Sequence, residues 1–560
     1  MDLQRWRGER RLVGGDIRSR GTLASESDCL PARCDVLVVG AGLAGASFAL
    51  LLRRQLPSAR VTMIEADPRR PRLGSFELSG SGAAFFAGTL GLAVELAHEH
   101  LPAHGTRCWF GGRPGDALEQ MSEVNLPLNC TNRAYCGDRA YHVDGATLLE
   151  ELRRRARAAG VTLVRGARAE ALEFTWPESS VRIEDQGTTR ELRTRWIVDA
   201  SGERTWSARW LGRPSAGIER AGAHYVATWT GTLDFEGDET LSSTAQRRDP
   251  HVSPPRSLCT LHFGGPGWGA TLTPHPRGGA TLALHLDRQR ERLPDDLPQI
   301  EGYGSFVRGR PGLARILRDA HLDPASFRAS YPNAWSTTSA FEVGRCALGA
   351  AAEHIDPLFG DPLGELARHV WSASHWIAQD LLGAVDRARL ERVLAVLDAR
   401  VRRRRREVPG RGDCALYGLL GDASSMAILR GIEGGLRRWL PSDDLDSQRG
   451  STDCAEFEAR VCAWIRRRML TLAERRRSAG LYGDRNQSWH PGAAGGRPER
   501  SYLPAFARAV GQWARLEYGC FRERLTPVVD DQLGSSTSHI ARLAGALEER
   551  LATAAKSPAE

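Results

Sequence analysis

The sequence predicts an α/β fold (α+β overall): a parallel sheet with helices, an antiparallel β-rich layer inserted into it, and a helical C-terminal region. Three observations carry this. A short apolar run, Val36–Val39, leads through a glycine-spaced turn into an apolar stretch of helical length. Between 213 and 341 the pattern alternates and is rich in turn formers, as in strands with one buried face. Beyond 366 the apolar residues recur at helical spacing. A chain of 560 residues is too long for one core. It divides into a polar lead-in at 1–32, a first domain at 33–365 with its inserted layer at about 106–142 and 213–341, and helices over 366–560.

The turn after Val36–Val39 contains Gly40, Gly42 and Gly45 in the spacing G-x-G-x-x-G, with Leu43 and Ala44 between them. In this arrangement the first glycine permits the tight turn and the second lets a pyrophosphate approach the backbone. The third allows helix and strand to pack closely. Ala46 to Leu56 then forms a helix whose free amides face the phosphates. Val61–Ile64 is the second strand, and Glu65 stands at its end, where an acid accepts hydrogen bonds from a ribose. Strand, glycine turn, helix and acid in this order predict a Rossmann-like dinucleotide-binding unit.

Composition narrows the class further. Lys+Arg 76 against Asp+Glu 68 gives a net charge of +8, carried almost wholly by arginine, because the single lysine is Lys556. Outside Arg402–Arg406 no basic stripe with interleaved aromatics appears, and that run lies in a helical stretch as a solvated face, which argues against a nucleic-acid partner. Eleven cysteines, scattered and never spaced C-x-x-C, predict reduced thiols rather than disulfides or a metal site. No apolar segment approaches the ~20 residues that span a bilayer, and Arg10–Arg11 precede no apolar leader segment. The expectation is a cytoplasmic protein without a membrane partner.

Along the chain, 67–82 is rich in turn formers and reads as a loop beside the nucleotide fold. Ala83–Leu101 reads as helix. Trp109, Phe110, Tyr135 and Tyr141 lie among short strands of the inserted layer. Asp144–Ala159 is a helix closed by Gly160, followed by strands at Val161–Val164, Ala171–Phe174 and Val181–Glu184. Trp196–Asp199 is a buried strand breaking into a turn at Gly202. Tyr225–Thr230, Leu258–Phe263 and Ala280–His285 are strands of the inserted sheet. Trp229, Trp268, His262, His275 and His285 are candidates for a pocket there, although such residues usually serve the core. Helices are expected at Val370–Leu382, Arg387–Arg406, Ala455–Arg475, Tyr502–Arg524 and Ala541–Ala555, with Trp371, Trp376, Trp464 and Trp513 as core residues.

Val198-Asp-Ala-Ser-Gly202 resembles the Asp-Ala-Ser-Gly turn of flavoprotein monooxygenases and flavin-dependent halogenases. Ala347-Leu-Gly-Ala-Ala-Ala-Glu-His-Ile-Asp-Pro-Leu-Phe359 resembles the second flavin-contacting segment of the halogenase branch. With the glycine turn, these pieces cover 34–365 in the family's order. The resemblance implies FAD as cofactor. Gly40, Gly42, Leu43, Ala44, Gly45 and Glu65 would hold its adenosine half, and Asp199, Gly202, Gly349, Asp356 and Pro357 would lie nearer the flavin. It implies an FAD-dependent oxidoreductase of the monooxygenase and halogenase-like group, acting in specialised (secondary) metabolism on an aromatic or carrier-bound small molecule, with a flavin reductase as partner. His354 beside Asp356 is the candidate catalytic acid or base, since histidine exchanges protons near neutral pH. Its bland reading is a hydrogen bond closing the turn.

The chain departs from that pattern at several points. The Asp of a Gly-Asp-Ala motif is Ala350, an arginine expected after Val143-Asp144 is Gly145, and the Glu of a Gly-Glu-Ser loop is Ser75. Each loss removes polar contacts worth roughly 1 to 3 kcal/mol. The halogenase marks are weaker still. Trp268 stands for the first of two tryptophans and the second falls at Ala270. Gly360-Asp361-Pro362 replaces a turn that offers amides to a halide, and no lysine precedes Lys556. Two further readings follow: a non-catalytic scaffold that binds flavin weakly or not at all, and a halogenase.

Overall fold

The computed structural model describes residues 29–66, 73–78, 80–103, 105–110, 122–126, 140–202, 222–235, 256–265, 267–287, 294–330, 335–336, 339–354, 362–407 and 451–482, with single positions around 206 and between 419 and 429. The chain begins β1 (Arg33–Val39), α1 (Leu43–Gln55), β2 (Val61–Glu65) and β3 (Ser75–Leu78). A short helix α2 (Gly80–Ala84) runs into a π-helical turn at Phe85–Thr89, then α3 (Ala93–Glu99), β4 (Leu101–Ala103), β5 (Gly105–Phe110), β6 (Ser122–Leu126) and β7 (Ala140–Asp144). Next come α4 (Gly145–Ala158), β8 (Thr162–Arg165), β9 (Ala167–Glu173), β10 (Ser179–Asp185), β11 (Thr188–Asp199) and β12 (Gly222–Gly231). The inserted layer continues with β13 (Cys259–Gly265), β14 (Trp268–Pro274), β15 (Ala280–Asp287), α5 (Ile300–Arg308), α6 (Pro311–Ile316), β16 (Ala320–Leu322) and β17 (Arg328–Ser330). Short strands β18 (Trp335–Ser336), β19 (Phe341–Glu342), β20 (Arg345–Ala347) and β21 (Glu353–His354) precede the helices α7 (Pro362–Leu381), α8 (Arg387–Glu407) and α9 (Ser451–Ser478).

The first sheet runs β19-β20-β11-β1-β2-β8, and β10 and β9 extend it as an antiparallel hairpin off β11. β1 is parallel to β2, with Val38 opposite Met63, and to β11, with Val39 opposite Asp199. Val36, Leu37 and Val38 are fully buried because helices cover one face of this sheet and the hairpin covers the other. α1, α4 and α7 contribute Phe48, Leu50, Leu152, Val370 and Trp376 to one core, while Leu37, Ile64, Ile183 and Ile197 pack on the opposite side. Asp144 begins α4 as its cap: Oδ1 accepts from the amides of Ala146 (3.1 Å) and Thr147 (3.4 Å). Gly160 closes it at φ +88°.

The second sheet has the order β16-β12-β15-β14-β13-β5-β6. Its pairs are antiparallel except β13 with β5, which run parallel. Alternation sorts its side chains into two faces. Tyr225, Trp229, Leu261, Phe263, Trp268, Leu272 and Leu284 face a core closed by Tyr303, Val307 and Leu313 from α5 and α6. Register puts His224, His285, Gly269 and Gly264 in one rung of the other face, Val226, Ala283, Thr271 and His262 in the next, and Thr228, Thr281, Thr273 and Thr260 in a third.

Several expectations need correcting. The turn-rich stretch after Asp67 is not all loop: Ser75–Leu78 pairs antiparallel with Tyr141–Asp144, and with β4 makes a separate three-stranded sheet. β7 therefore leaves the inserted layer that β5 and β6 join. The helix expected over Ala83–Leu101 is broken at Leu90–Leu92 and ends before β4. Trp464 is 45% exposed rather than core, while Trp376 is buried as expected. The lead-in, Tyr135, Trp513, Tyr502–Arg524 and Ala541–Ala555 lie outside the described residues.

Candidate functional site

Three segments far apart in sequence meet at the C-terminal ends of β1, β11 and β20. Gly40 has φ +109°, and a Cβ there would lie 2.4 Å from the Ala200 carbonyl oxygen and 2.9 Å from the Ser201 nitrogen. The first glycine of the turn is thus fixed by close approach to Asp199-Ala-Ser-Gly202. A Cβ on Gly45 would lie 2.0 Å from the Gly40 carbonyl oxygen, so this glycine is required for α1 to pack against its own turn. Gly42 behaves differently: nothing lies within 4 Å of a Cβ placed there. It caps α1 without a side-chain hydrogen bond, so no cap side chain takes up the first-turn amides.

The third segment follows β20. The Leu348 amide donates to the Asp199 carbonyl at 2.9 Å. Gly349, at φ +55°, sits so that a Cβ would be 3.4 Å from Ala44 Cβ and 3.6 Å from a Leu366 methyl. Asp199 itself is fully buried, and its Oδ1 accepts from the Ser201 amide (3.0 Å) and hydroxyl (2.6 Å). Its side chain therefore closes the turn in which Gly202 takes φ +71°. Ala350 follows in a 3-10 turn, Gly349–Ala351.

Glu65 ends β2 beside the turn. Its Oε1 pairs with Arg153 of α4, and its Oε2 is buried without a hydrogen-bond partner. Burial pushes its carboxyl pKa up, and Arg153 partly offsets this. Arg153 is itself buried, and its Nε donates to the Ala41 carbonyl in the glycine turn at 2.9 Å. Sequence reasoning missed Arg153, although a signal exists: it falls next to Leu152 and three residues before Ala156, at the rim of the apolar stripe Leu148, Leu152, Ala156.

At the other end, His354 pairs through its backbone with Trp335. Asp356, Pro357 and Asp361 lie outside the described residues. Glu353, one residue before His354, lies 3.4 Å from His369 Nε2 and ties β21 to α7. Glu365 joins them to form a cluster with ligand atoms within 4.8 Å, but Arg368 Nε donates to Glu365 at 3.1 Å, so the cluster carries its own cation.

The polar face of the inserted sheet turns toward the first domain. The Ser75 hydroxyl donates to the Thr273 carbonyl (2.8 Å), and its amide donates to Thr281 Oγ1 (2.7 Å). Thr260 donates to Glu77 and lies 3.0 Å from His142 Nε2. His285 stacks on His224 with centroids 4.5 Å apart. Burial, aided by His262, pulls its pKa down to about 3, so it is a neutral imidazole. His262 Nδ1 meets Thr271 Oγ1 at 2.9 Å, and His275 lies against Asp144 at 3.8 Å. Of the pocket candidates, Trp229 and Trp268 are corrected: both point into the apolar core on the far face, Trp268 beneath Arg310 at 5.1 Å.

Residues 33–254 match the family described as FAD binding domain. The sequence matches no curated protein. Among solved structures, halogenase PltM is similar at 14% identity over 88% of this chain and 96% of its own, with a TM-score of 0.59. The myxobacterial chondrochloren halogenase CndH is similar at 17% identity, over 78% and 98%, with a TM-score of 0.53. A flavoprotein/dehydrogenase from Cytophaga hutchinsonii is similar at 16% identity, over 78% and 92%, with a TM-score of 0.52. Two local features fit such a cofactor: the open space over Gly42, which a pyrophosphate can fill, and the buried, unpartnered Glu65 oxygen, which a ribose hydroxyl can satisfy. No helix among the described residues is long and apolar enough to cross a membrane.

Proposed function

From the match of residues 33–254 to an FAD binding domain and the fold shared with flavin-dependent halogenases, we propose that the chain oxidises or hydroxylates an aromatic or carrier-bound small molecule in secondary metabolism. The carrying observation is the meeting of the Gly40, Ala200 and Gly349 turns around the N-terminus of α1, beside an ionisable acid with one free oxygen. FAD supplies the redox chemistry when bound, and the protein positions it and excludes water. Gly40, Gly42, Leu43, Ala44 and Gly45 accommodate the pyrophosphate, and Glu65 accepts from the ribose. Asp199, through its turn, Gly202, Gly349, Asp356 and Pro357 frame the flavin end, and His354 moves a proton to or from the substrate. The substrate lies on the polar face of the inserted sheet, on the side of the neutral imidazole of His285. A flavin reductase is the proposed electron-supplying partner, and the cytoplasm the proposed compartment.

The test is direct. The purified protein is titrated with FAD, then given reduced FAD, oxygen and halide salts with a panel of phenols, indoles and pyrroles, and the products are read by mass spectrometry. Hydroxylated or dehydrogenated products support the proposal. An enzyme-dependent halogenated product, formed with a scavenger of free hypohalous acid present, replaces it with the halogenase reading. Ala350 favours a second reading, a non-catalytic scaffold: it leaves the flavin end one carboxylate short, and failure to bind FAD at millimolar concentration would select that reading.

A further inference from the structure

The cation that the family pattern leads one to expect after Asp144 has no room at that position. A Cβ on Gly145 would lie 2.6 Å from Leu73 Cβ and 2.8 Å from the Gly74 carbonyl oxygen, so β3 closes directly onto the start of α4. Two turns farther along the same helix, Arg153 points inward with its side chain 9% exposed. Its guanidinium is divided three ways. Nε donates to the Ala41 carbonyl at 2.9 Å, one terminal nitrogen donates to Glu150 at 2.8 Å, and the other pairs with Glu65 Oε1. Ala41 belongs to the phosphate turn and Glu65 to the end of β2. A single rigid side chain thus joins the two parts of the adenosine site.

We propose that Arg153 is a positioning residue for the dinucleotide: it holds Glu65 so that Oε2 alone is offered to the ribose, and it keeps the phosphate turn in register with that acid. The inference rests on the FAD reading above. A planar fork suits the task, because it can hold a carboxylate and a carbonyl in one plane while remaining charged. Among the described residues, three charged side chains act on Glu65. Arg153 faces it from α4, Arg165 stands opposite it in register on β8, and Glu150 opposes both from α4. Removing Arg153 leaves a buried carboxyl with Arg165 as the remaining cation among the described residues, itself 3.1 Å from Glu150. Glu65 then takes up a proton at higher pH and loses its charge toward the ribose.

The experiment measures FAD affinity by flavin fluorescence or calorimetry from about pH 6 to about pH 9, with melting temperatures recorded for each variant. Wild type is expected to bind with little pH dependence. Arg153→Gln should bind ~10-fold or more weakly at the acid end and recover part of the loss as the pH rises. Arg153→Lys, which keeps the charge without the fork, should flatten the pH profile again while remaining weaker than wild type. In a Glu65→Gln background Arg153→Gln should add little, and any pH dependence should vanish. Arg153→Gln binding like wild type at every pH, or losing the same factor with and without Glu65, overturns the inference and leaves the FAD reading standing. Wild type that binds no FAD overturns both.

Discussion

At the proposed adenosine end of the site, Glu65, Arg153 and the glycine turn form one bonded unit, with an open space over Gly42 and one acceptor left over. At the proposed flavin end, Ala350 stands where the pattern has a carboxylate, and Asp199 Oδ1 accepts hydrogen bonds from its own turn. The contrast shows where binding and chemistry separate. One end is built to hold a nucleotide from buried, rigid elements. The other, in the proposed reading, is framed among the described residues by the backbone turns at Gly202 and Gly349.

The largest expected effects test the adenosine end against its own scaffold. Gly42→Asp should abolish FAD binding with an almost unchanged melting temperature, because the new side chain enters open space and brings a charge to the pyrophosphate. Gly45→Val should fail before that, losing ~3 kcal/mol or more or the folded state, because its Cβ collides with a backbone oxygen. Unchanged FAD affinity in Gly42→Asp would detach the turn from the cofactor. At the flavin end, His354→Phe should lower kcat by ~10²-fold while leaving FAD affinity intact. Equal losses of both would make the histidine a support of its turn.

A smaller effect comes from the buried neutral histidines. Burial holds His100 at about 4 and His285 at about 3. The unfolded chain protonates both below about pH 6.5, so stability present above that pH is lost progressively as the pH falls toward the folded values, at roughly 1.4 kcal/mol per pH unit for each. His285→Asn should remove about half of that slope, read as melting temperature against pH. The smallest change is a gain. Ala350→Asp should tighten FAD about tenfold if the flavin end lacks only that acceptor, and no gain would mean the groove there has closed over the missing group.

Much of the groove was legible in sequence because its parts obey local rules. β1 is short and wholly apolar, Gly40 and Gly45 are demanded by backbone contacts, and Asp144 is followed three residues later by Thr147 in a cap. What escaped depends on distant partners. Ser75–Leu78 is spelled in turn formers and becomes a strand because Tyr141–Asp144 lies beside it. Trp268 looked like a pocket residue, but the side it faces is set by the pairing of β14 with β13 and β15, where a shift of one residue would reverse it. Arg153 is one arginine among three in a row; its place at the rim of the apolar stripe sets it apart, but its partner Glu65 lies 88 residues earlier.

The position of β1 in the middle of its sheet has a consequence for synthesis. Its neighbour β11 ends at Asp199 and the third contributor, the Gly349 turn, follows β20. At ~5–20 residues per second, the ribosome makes the glycine turn roughly 7–30 s before the strand that supports it, and longer still before the last turn arrives. In the proposed site the glycine turn is one of three segments that meet around the cofactor. Cofactor capture is therefore a late event in the life of each chain, and cells starved of riboflavin should accumulate a folded apoprotein rather than stalled fragments.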